Sequence, residues 1–194
     1  AHKLSILAAL AFGAATDVDG VYLQGIQQIS PVDIQFAREF GYRIKLLGIA
    51  RRVGDAIEQR VHPVMVPLST PLADVGGVFN AVVTESDQAG QTVIEGRGAG
   101  ERPTASAVVA DLVDIARGLR MPAFGTPAAK LERLPRSDLG AREGSFYLRF
   151  NVLDKPGVVA EISRSLADDQ ISIESMLQRG RAPGEPVAIV MITH

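Results

Sequence analysis

Residues 91–118 read QTVIEGRGAGERPTASAVVADLVDIARG, and this stretch says most about the fold. An extended run, Gln91 to Glu95, leads into three glycines at alternate positions, and a helix is predicted over Ala105 to Arg117. Glycine lets a backbone approach a ligand closely, and a helix N-terminus offers N–H groups with no partner inside the helix. The spacing is not the dinucleotide-binding Gly-x-Gly-x-x-Gly, because Pro103 stands where the third glycine would be. The loop is therefore predicted to contact a cofactor that is held mainly by something else.

The composition narrows the class of protein. The 194 residues are 46% hydrophobic and 22% charged, which is typical of a globular chain with one medium domain, or a medium and a small one. A net charge of -2 argues against a nucleic-acid or anionic-membrane partner. The chain has no cysteine, and its three histidines lie far apart in the sequence, so no metal site is predicted.

The N-terminal residues allow two interpretations. Lys3 and the apolar residues 4–15 could pass for a signal peptide, and the run is too short to span a membrane. The chain opens with Ala rather than Met, however, so we expect it to begin within a longer polypeptide. A buried apolar helix over His2 to Phe12 is favoured over an export signal.

The rest of residues 1–118 carries the signals of an α+β unit. Ser30-Pro31-Val-Asp33 is a strong helix start, because it combines a hydroxyl cap, a proline and a carboxylate at the positive helix end. Thr70 is predicted to cap a second, short helix. Two pairs of strands are predicted, each joined by a tight turn: 42–51 with 56–66, and 78–85 with 91–95.

The remainder of the chain reads as a second unit. Residues 119–144 hold three prolines and no sustained period, which predicts a linker. A strand (146–152), a helix (158–167) and two strands (171–178 and 187–194) follow, with a polar turn over 179–186. The predicted order is therefore βαββ.

The turn Leu153-Asp-Lys-Pro-Gly157, with Ile171-Ser-Ile-Glu-Ser-Met-Leu on the next strand, resembles the ACT domain, a ferredoxin-like module that binds amino acids at domain interfaces. A simple good turn would explain the first motif alone, but not its place between strand and helix. The chain ends before the second helix and fourth strand of that family. The resemblance implies an effector site lined by five residues: Asp154, Gly157, Val158, Ser172 and Ile173.

Several motifs in the N-terminal unit resemble homoserine dehydrogenase. They are Ala1-His-Lys-Leu-Ser-Ile-Leu-Ala, Ile44-Lys-Leu-Leu-Gly-Ile-Ala50, Val61-His-Pro with Val66-Pro, Asn80-Ala-Val, and Gly98-Ala-Gly-x-x-Pro-Thr-Ala. The resemblance implies an α+β fold, in which a mixed sheet with helices on one face (residues 1–118, substrate binding and dimerisation) precedes a truncated ACT domain (145–194). The dinucleotide-binding domain that comes first in that family has no counterpart in this sequence.

The same resemblance implies an activity. Homoserine dehydrogenases interconvert L-homoserine and L-aspartate 4-semialdehyde with NAD or NADP, on the route to threonine, methionine and isoleucine. A cytoplasmic homo-oligomer (dimer or tetramer), inhibited by L-threonine through the ACT domain, is therefore expected. The alternative is a non-catalytic amino-acid sensor, in which the first unit serves only as a dimerisation scaffold.

The resemblance also assigns residues. Lys3 falls on the catalytic lysine that exchanges a proton with the substrate oxygen, and a substrate-binding aspartate would lie four residues before it, outside this sequence. Four residues are predicted to bind the cofactor: Gly98, Ala99, Gly100 and Thr104. For Thr104, helix capping alone is an equal alternative. Structural or solvent-facing roles are favoured for five further positions: Asn80, Glu95, His62, Arg51 and Arg52.

Overall fold

A computed structural model describes residues 1–138, 140, 144–179 and 186–194. The predicted linker and the predicted polar turn lie partly outside these residues. The chain divides into two compact units, one of Ala1–Gln28 and Ala37–Ser137, the other of Ile29–Phe36 and Asp138–His194. Residues 29–36 thus belong with the C-terminal segment, which the order of the sequence does not predict.

The first unit contains two small sheets and several helices, of which α1 and α3 contact the larger sheet. Its elements are α1 (His2–Phe12), β1 (Tyr22–Leu23), β2 (Tyr42–Val53), β3 (Ala56–Pro67), α3 (Pro71–Asp74), β4 (Phe79–Ser86), β5 (Gly90–Arg97), α4 (Glu101–Ala116) and a 3-10 turn (Ala128–Lys130). Strand β3 lies between β1, which is parallel to it, and β2, which is antiparallel, so this sheet is mixed. Strands β4 and β5 form a separate hairpin. Both predicted strand pairs are confirmed.

The second unit is built around one central strand. It contains β6 (Tyr147–Leu153), α5 (Val158–Asp168), β7 (Ile173–Gln178) and β8 (Pro186–Thr193), and helix α2 (Pro31–Glu39) starts within it. Strand β8 pairs antiparallel with both β6 and β7. Its residues 187 and 189–193 are buried, and they form the core of the unit. The predicted βαββ order and the α+β class are confirmed.

Helix α1 is buried on only one side, which corrects the prediction of a buried helix. The buried residues are Leu4, Ser5, Ala8 and Ala9, whereas Ile6, Leu7 and Leu10 are exposed. The small residues allow close approach to the sheet. At the contact, a Cβ on Gly48 of β2 would lie 3.3 Å from Leu4 Cδ1.

Strand β3 carries an unusual buried polar run, Glu58, Gln59 and Arg60. The Arg60 guanidinium pairs with the Glu58 carboxylate, and its Nε donates to His62 Nε2 at 2.9 Å. Buried charges are tolerated where they pair in this way. His62 therefore has a structural contact, in agreement with the role favoured for it.

Part of the predicted linker lies along the edge of the mixed sheet. Ile57 N donates to the Pro135 carbonyl at 2.9 Å, Ser137 N donates to the Ile57 carbonyl at 3.0 Å, and Ala15 N donates to the Glu132 carbonyl at 2.8 Å. The segment 132–137 therefore supplies hydrogen bonds that an exposed strand edge would otherwise lack.

Two predicted helix starts need correction. Helix α4 begins at Glu101, four residues before the predicted Ala105, because proline is compatible with the first turn of a helix and Pro103 does not end it. Thr70 does precede α3, but its hydroxyl donates to the Pro67 carbonyl at 2.7 Å and caps no helical N–H. No residue of α4 is buried, and its apolar side chains Val108, Val109, Leu112, Val113 and Ile115 are 38–70% exposed.

Candidate functional site

The glycine loop, residues 98–100, joins the open end of the β4–β5 hairpin to helix α4. Gly98 N donates to the Val78 carbonyl at 2.9 Å, which ties the loop to the start of β4. Beside it, the Arg97 guanidinium lies 5.2 Å from the centre of the Phe79 ring, within the range of a cation–π contact. The loop is therefore held at its hairpin side by one backbone bond and one side-chain contact.

Gly100 occupies a conformation that only glycine adopts readily. Its φ is 118° and its ψ is 157°, and it forms the N-cap of α4 without any side-chain cap. Because Pro103 has no N–H, the backbone donors of the first helical turn are those of Glu101 and Arg102. These donors, together with the uncovered backbone of the loop, suit a polar or anionic ligand group.

Thr104 does not cap the helix, which excludes the simpler of its two predicted roles. Its hydroxyl lies inside α4 and donates back to the Gly100 carbonyl at 2.8 Å, and its backbone N–H donates to the same oxygen at 3.2 Å. The hydroxyl oxygen keeps its capacity to accept a hydrogen bond from a ligand.

Asn80 is a neighbour of the loop for which the sequence predicts a structural or solvent-facing role. A Cβ placed on Gly98 would overlap the Asn80 carboxamide, so glycine at position 98 lets the Asn80 side chain keep its present position. The Asn80 side chain is exposed and donates to the Val78 carbonyl at 3.3 Å. Counting back from the hairpin turn pairs Asn80 with Gly96, two residues before Gly98. This strand register is the sequence signal that could have placed Asn80 next to the glycine loop.

Lys3 lies on the first turn of α1, in the same unit as the loop. The side chain is exposed, while the neighbouring Leu4 and Ser5 are buried. Among the described residues it makes no hydrogen bond or ion pair, so its ammonium group is available to a ligand. A primary amine in this state can donate a proton or a hydrogen bond to an oxygen atom.

The five predicted effector residues do not come together within one chain. Leu153, which precedes Asp154, pairs with Pro186 at one end of β8, whereas Ile173 pairs with Thr193 at the other. Seven residues of extended strand separate the two ends by roughly 23 Å. The expectation that Ser172 and Ile173 lie opposite Asp154 is therefore wrong for a single copy, because β6 and β7 run in the same direction.

A buried carboxylate organises the second unit. Asp33 is 4% exposed and accepts hydrogen bonds from Ser30 N (2.8 Å), Ser30 Oγ (2.6 Å) and the Tyr147 hydroxyl (2.8 Å), and the Arg149 Nε lies 2.9 Å from it. Burial alone would raise the pKa of Asp33, but the hydrogen bonds from Ser30 and Tyr147 and the charge of Arg149 outweigh it and hold the pKa below its usual value.

The effect on Tyr147 is the reverse. Burial and the hydrogen bond to the Asp33 carboxylate raise the pKa of Tyr147 well above its usual value, so the phenol remains a proton donor. The sequence predicted the Ser30–Asp33 helix start, but it gave no signal for the two partners on β6.

Two other classes of site are not found in the described parts of the chain. Within those parts, no cluster of three or more His, Asp or Glu side chains could hold a metal ion. No helix there is long and apolar enough to cross a membrane.

Comparison with known proteins gives consistent matches. A family model described as "Homoserine dehydrogenase" matches residues 1–113. The homoserine dehydrogenase of Neisseria gonorrhoeae is 42% identical over 199 residues, and that of Helicobacter pylori is 42% identical over 196; each alignment covers 100% of this chain and 46% of the relative. The crystal structure of a homoserine dehydrogenase from Thiobacillus denitrificans superposes with a TM-score of 0.87 and 45% identity, covering 100% of this chain and 45% of that one. The chain thus spans about half the length of the relatives it matches.

Proposed function

This chain belongs to the homoserine dehydrogenase family, and from that premise we propose that it carries the substrate-reducing part of such an enzyme. The proposed reaction is the reversible, NAD(P)-dependent interconversion of L-homoserine and L-aspartate 4-semialdehyde. In the reducing direction, the nicotinamide when bound would supply a hydride to the aldehyde carbon, and a side chain of this chain would supply the proton to the aldehyde oxygen.

We assign Lys3 as the acid in this step. As hydride reaches the aldehyde carbon, negative charge develops on the oxygen, and a nearby ammonium group stabilises that charge and then supplies the proton. In the oxidising direction the neutral amine removes the proton from the hydroxyl. The observation that carries this proposal is an exposed lysine on α1 with no hydrogen bond or ion pair among the described residues, within the part of the chain that the family model matches.

The glycine loop is the proposed contact for the cofactor. Residues Gly98, Ala99 and Gly100 present bare backbone, Thr104 lies one helical turn further on, and the first turn of α4 adds N–H donors. The nicotinamide carboxamide has both donor and acceptor groups, which suit such a surface. NAD and NADP share this part of the molecule, so the proposal covers both cofactors.

We further propose that the second unit is an ACT domain that binds L-threonine. A site containing Asp154, Gly157 and Val158 together with Ser172 and Ile173 requires two copies of the unit, because one chain holds these groups at opposite ends of β8. A homodimer would satisfy this requirement. The proposed location is the cytoplasm, as for other biosynthetic enzymes. The expected result is that threonine lowers activity in the full-length enzyme and that Asp154→Ala weakens this inhibition without changing kcat.

The catalytic assignment is tested by Lys3→Met in the full-length enzyme, with Lys130→Met, an exposed lysine elsewhere in the unit, as control. Loss of a general acid lowers kcat by a factor on the order of 10²–10⁴. The measurement is the oxidation of NAD(P)H with aspartate 4-semialdehyde, with KM determined separately. A Lys3→Met enzyme that turned over at the wild-type rate would refute the assignment.

A further inference from the structure

A small cavity lies in the first unit, between α1, β3 and residues 134–136. The lining residues are mostly small or apolar: Ala8, Ala9, Ala14, Ala15, Ile57 and Leu134. The space open to the centre of a water molecule is about 20 Å³. One water molecule needs roughly 10–15 Å³ on this measure, so the cavity accepts water and excludes an organic ligand.

Two buried polar atoms belong to the lining. Ser5 is 1% exposed and Gln59 is 6% exposed, and neither Ser5 Oγ nor Gln59 Oε1 has a hydrogen-bond partner among the described residues. The other end of the Gln59 carboxamide is satisfied, because Nε2 donates to the Asp17 carbonyl at 3.1 Å. Buried polar atoms are rarely left without a partner, since they lose their bonds to solvent.

We propose that this cavity is a binding site for ordered water, held by the Ser5 hydroxyl and the Gln59 carboxamide oxygen. The chemistry of the two atoms is complementary to water. The Gln59 oxygen only accepts, so the water donates to it, while the Ser5 hydroxyl accepts from the water or donates to it. The water then joins α1 to β3 at a place where the protein supplies no direct polar bond.

Polar contacts hold the residues around the cavity in place. The Arg136 guanidinium grips the Asp17 carboxylate with two bonds, Nε to Oδ2 at 2.7 Å and Nη2 to Oδ1 at 2.8 Å. The segment 132–137 is further held by its backbone bonds to Ile57. A side chain at Gly20 would collide with the Asp17 carboxylate, so glycine at that position keeps the ion pair intact.

The site also has a consequence for Lys3, which rests on the proposed function. Lys3 precedes Ser5 by two residues on the same turn of α1, so a bond from Ser5 through water to β3 fixes that turn. Ser5 and Gln59 are therefore positioning residues, which act through the placement of the helix and touch no reactant.

The Tm of a Ser5→Ala variant of the full-length enzyme distinguishes a cavity that holds water from a dry one, because the two cases change Tm in opposite directions. If the hydroxyl is bound, its loss lowers Tm by about 2 °C or more. If the cavity is dry, the substitution removes an unpaired hydroxyl and adds helix propensity, so Tm rises. Ser165→Ala, an exposed serine in α5, measures the propensity gain alone. A Tm for Ser5→Ala that rises as much as in the Ser165→Ala control overturns the proposal.

Two further measurements complete the test. A high-resolution crystal structure of the full-length enzyme is expected to show water about 2.7–3.2 Å from both Ser5 Oγ and Gln59 Oε1, and a cavity without it contradicts the site. For positioning, Ser5→Ala is expected to lower kcat at a temperature where the enzyme is fully folded, with KM unchanged. An unchanged kcat refutes the positioning role alone. If instead Lys3→Met keeps wild-type activity, the proposed function fails while the Tm test of the water site still stands.

Discussion

Replacing Tyr147 by phenylalanine removes one hydrogen-bond donor from the buried Asp33 carboxylate and leaves the aromatic ring in place. The lost bond is 2.8 Å long and its acceptor is charged. Hydrogen bonds to charged groups contribute about 1.5–3 kcal/mol, and because the phenol is only half-buried we expect the lower limit, about 1.5 kcal/mol. Ser30 and Arg149 still satisfy Asp33, so its charge is not left unpaired.

The assay is amide hydrogen exchange, read on the buried strand β8 and its neighbour β6. A loss of about 1.5 kcal/mol corresponds to roughly tenfold faster exchange where exchange requires opening of the unit. Tyr22→Phe is the control, because Tyr22 is 45% exposed and its hydroxyl makes no hydrogen bond among the described residues. Equal protection in the wild type and Tyr147→Phe would refute the reasoning.

Acid provides a second test of the same cluster. The pKa of Asp33 is lower in the folded chain than its ordinary value of 3.8. A carboxylate with a depressed pKa contributes stability that is present above pH 3.8 and is lost as pH falls through the folded-state pKa. The difference between wild type and Tyr147→Phe is therefore expected to shrink in that acidic range, and a difference that grew there would contradict the ionised state of Asp33.

Two further predictions concern the first unit. Gly100→Ala forces a side chain onto a φ of 118° at a cost of about 1–3 kcal/mol, so amide hydrogen exchange in the first turn of α4 is expected to become faster. Gly96→Ala is the control, because there is open space around Gly96. Equal exchange in the two variants would count against backbone strain at Gly100. The hydrogen bond and the charge of Arg136 lower the pKa of Asp17, and Asp17→Asn breaks this ion pair. Amide hydrogen exchange at Ile57 and Ser137 is therefore expected to be faster in the variant above pH 3.8. At more acidic pH the variant is expected to match the wild type, because Asp17 is then protonated.

Local signals in the sequence predicted the elements well. The Ser30–Asp33 helix start, the turn at Gly54 and the hairpin turn before Gly90 all depend on residues close together in the chain. Each is present, and Gly54 and Gly90 both have a positive φ. Such features are predictable because the interactions that form them span only a few residues.

The features that the sequence did not predict depend on distant contacts. Polar residues such as Gln59 normally lie at the surface, and only the packing of α1 and residues 132–137 around β3 explains its burial. Two of the partners of Asp33, Tyr147 and Arg149, stand 114 and 116 positions further along the chain. The position of Asn80 beside Gly98 required the exact pairing of the hairpin, which the approximate strand limits did not supply.

The bare apolar side of α4 has a practical consequence for work with this polypeptide. Five aliphatic side chains on a sixteen-residue helix face water, and such surfaces promote self-association in proportion to protein concentration. The 194-residue chain on its own will therefore have a low colloidal solubility despite its net negative charge. Light scattering across a dilution series would show this, and replacing Leu112 and Ile115 by glutamate would raise the concentration at which turbidity begins.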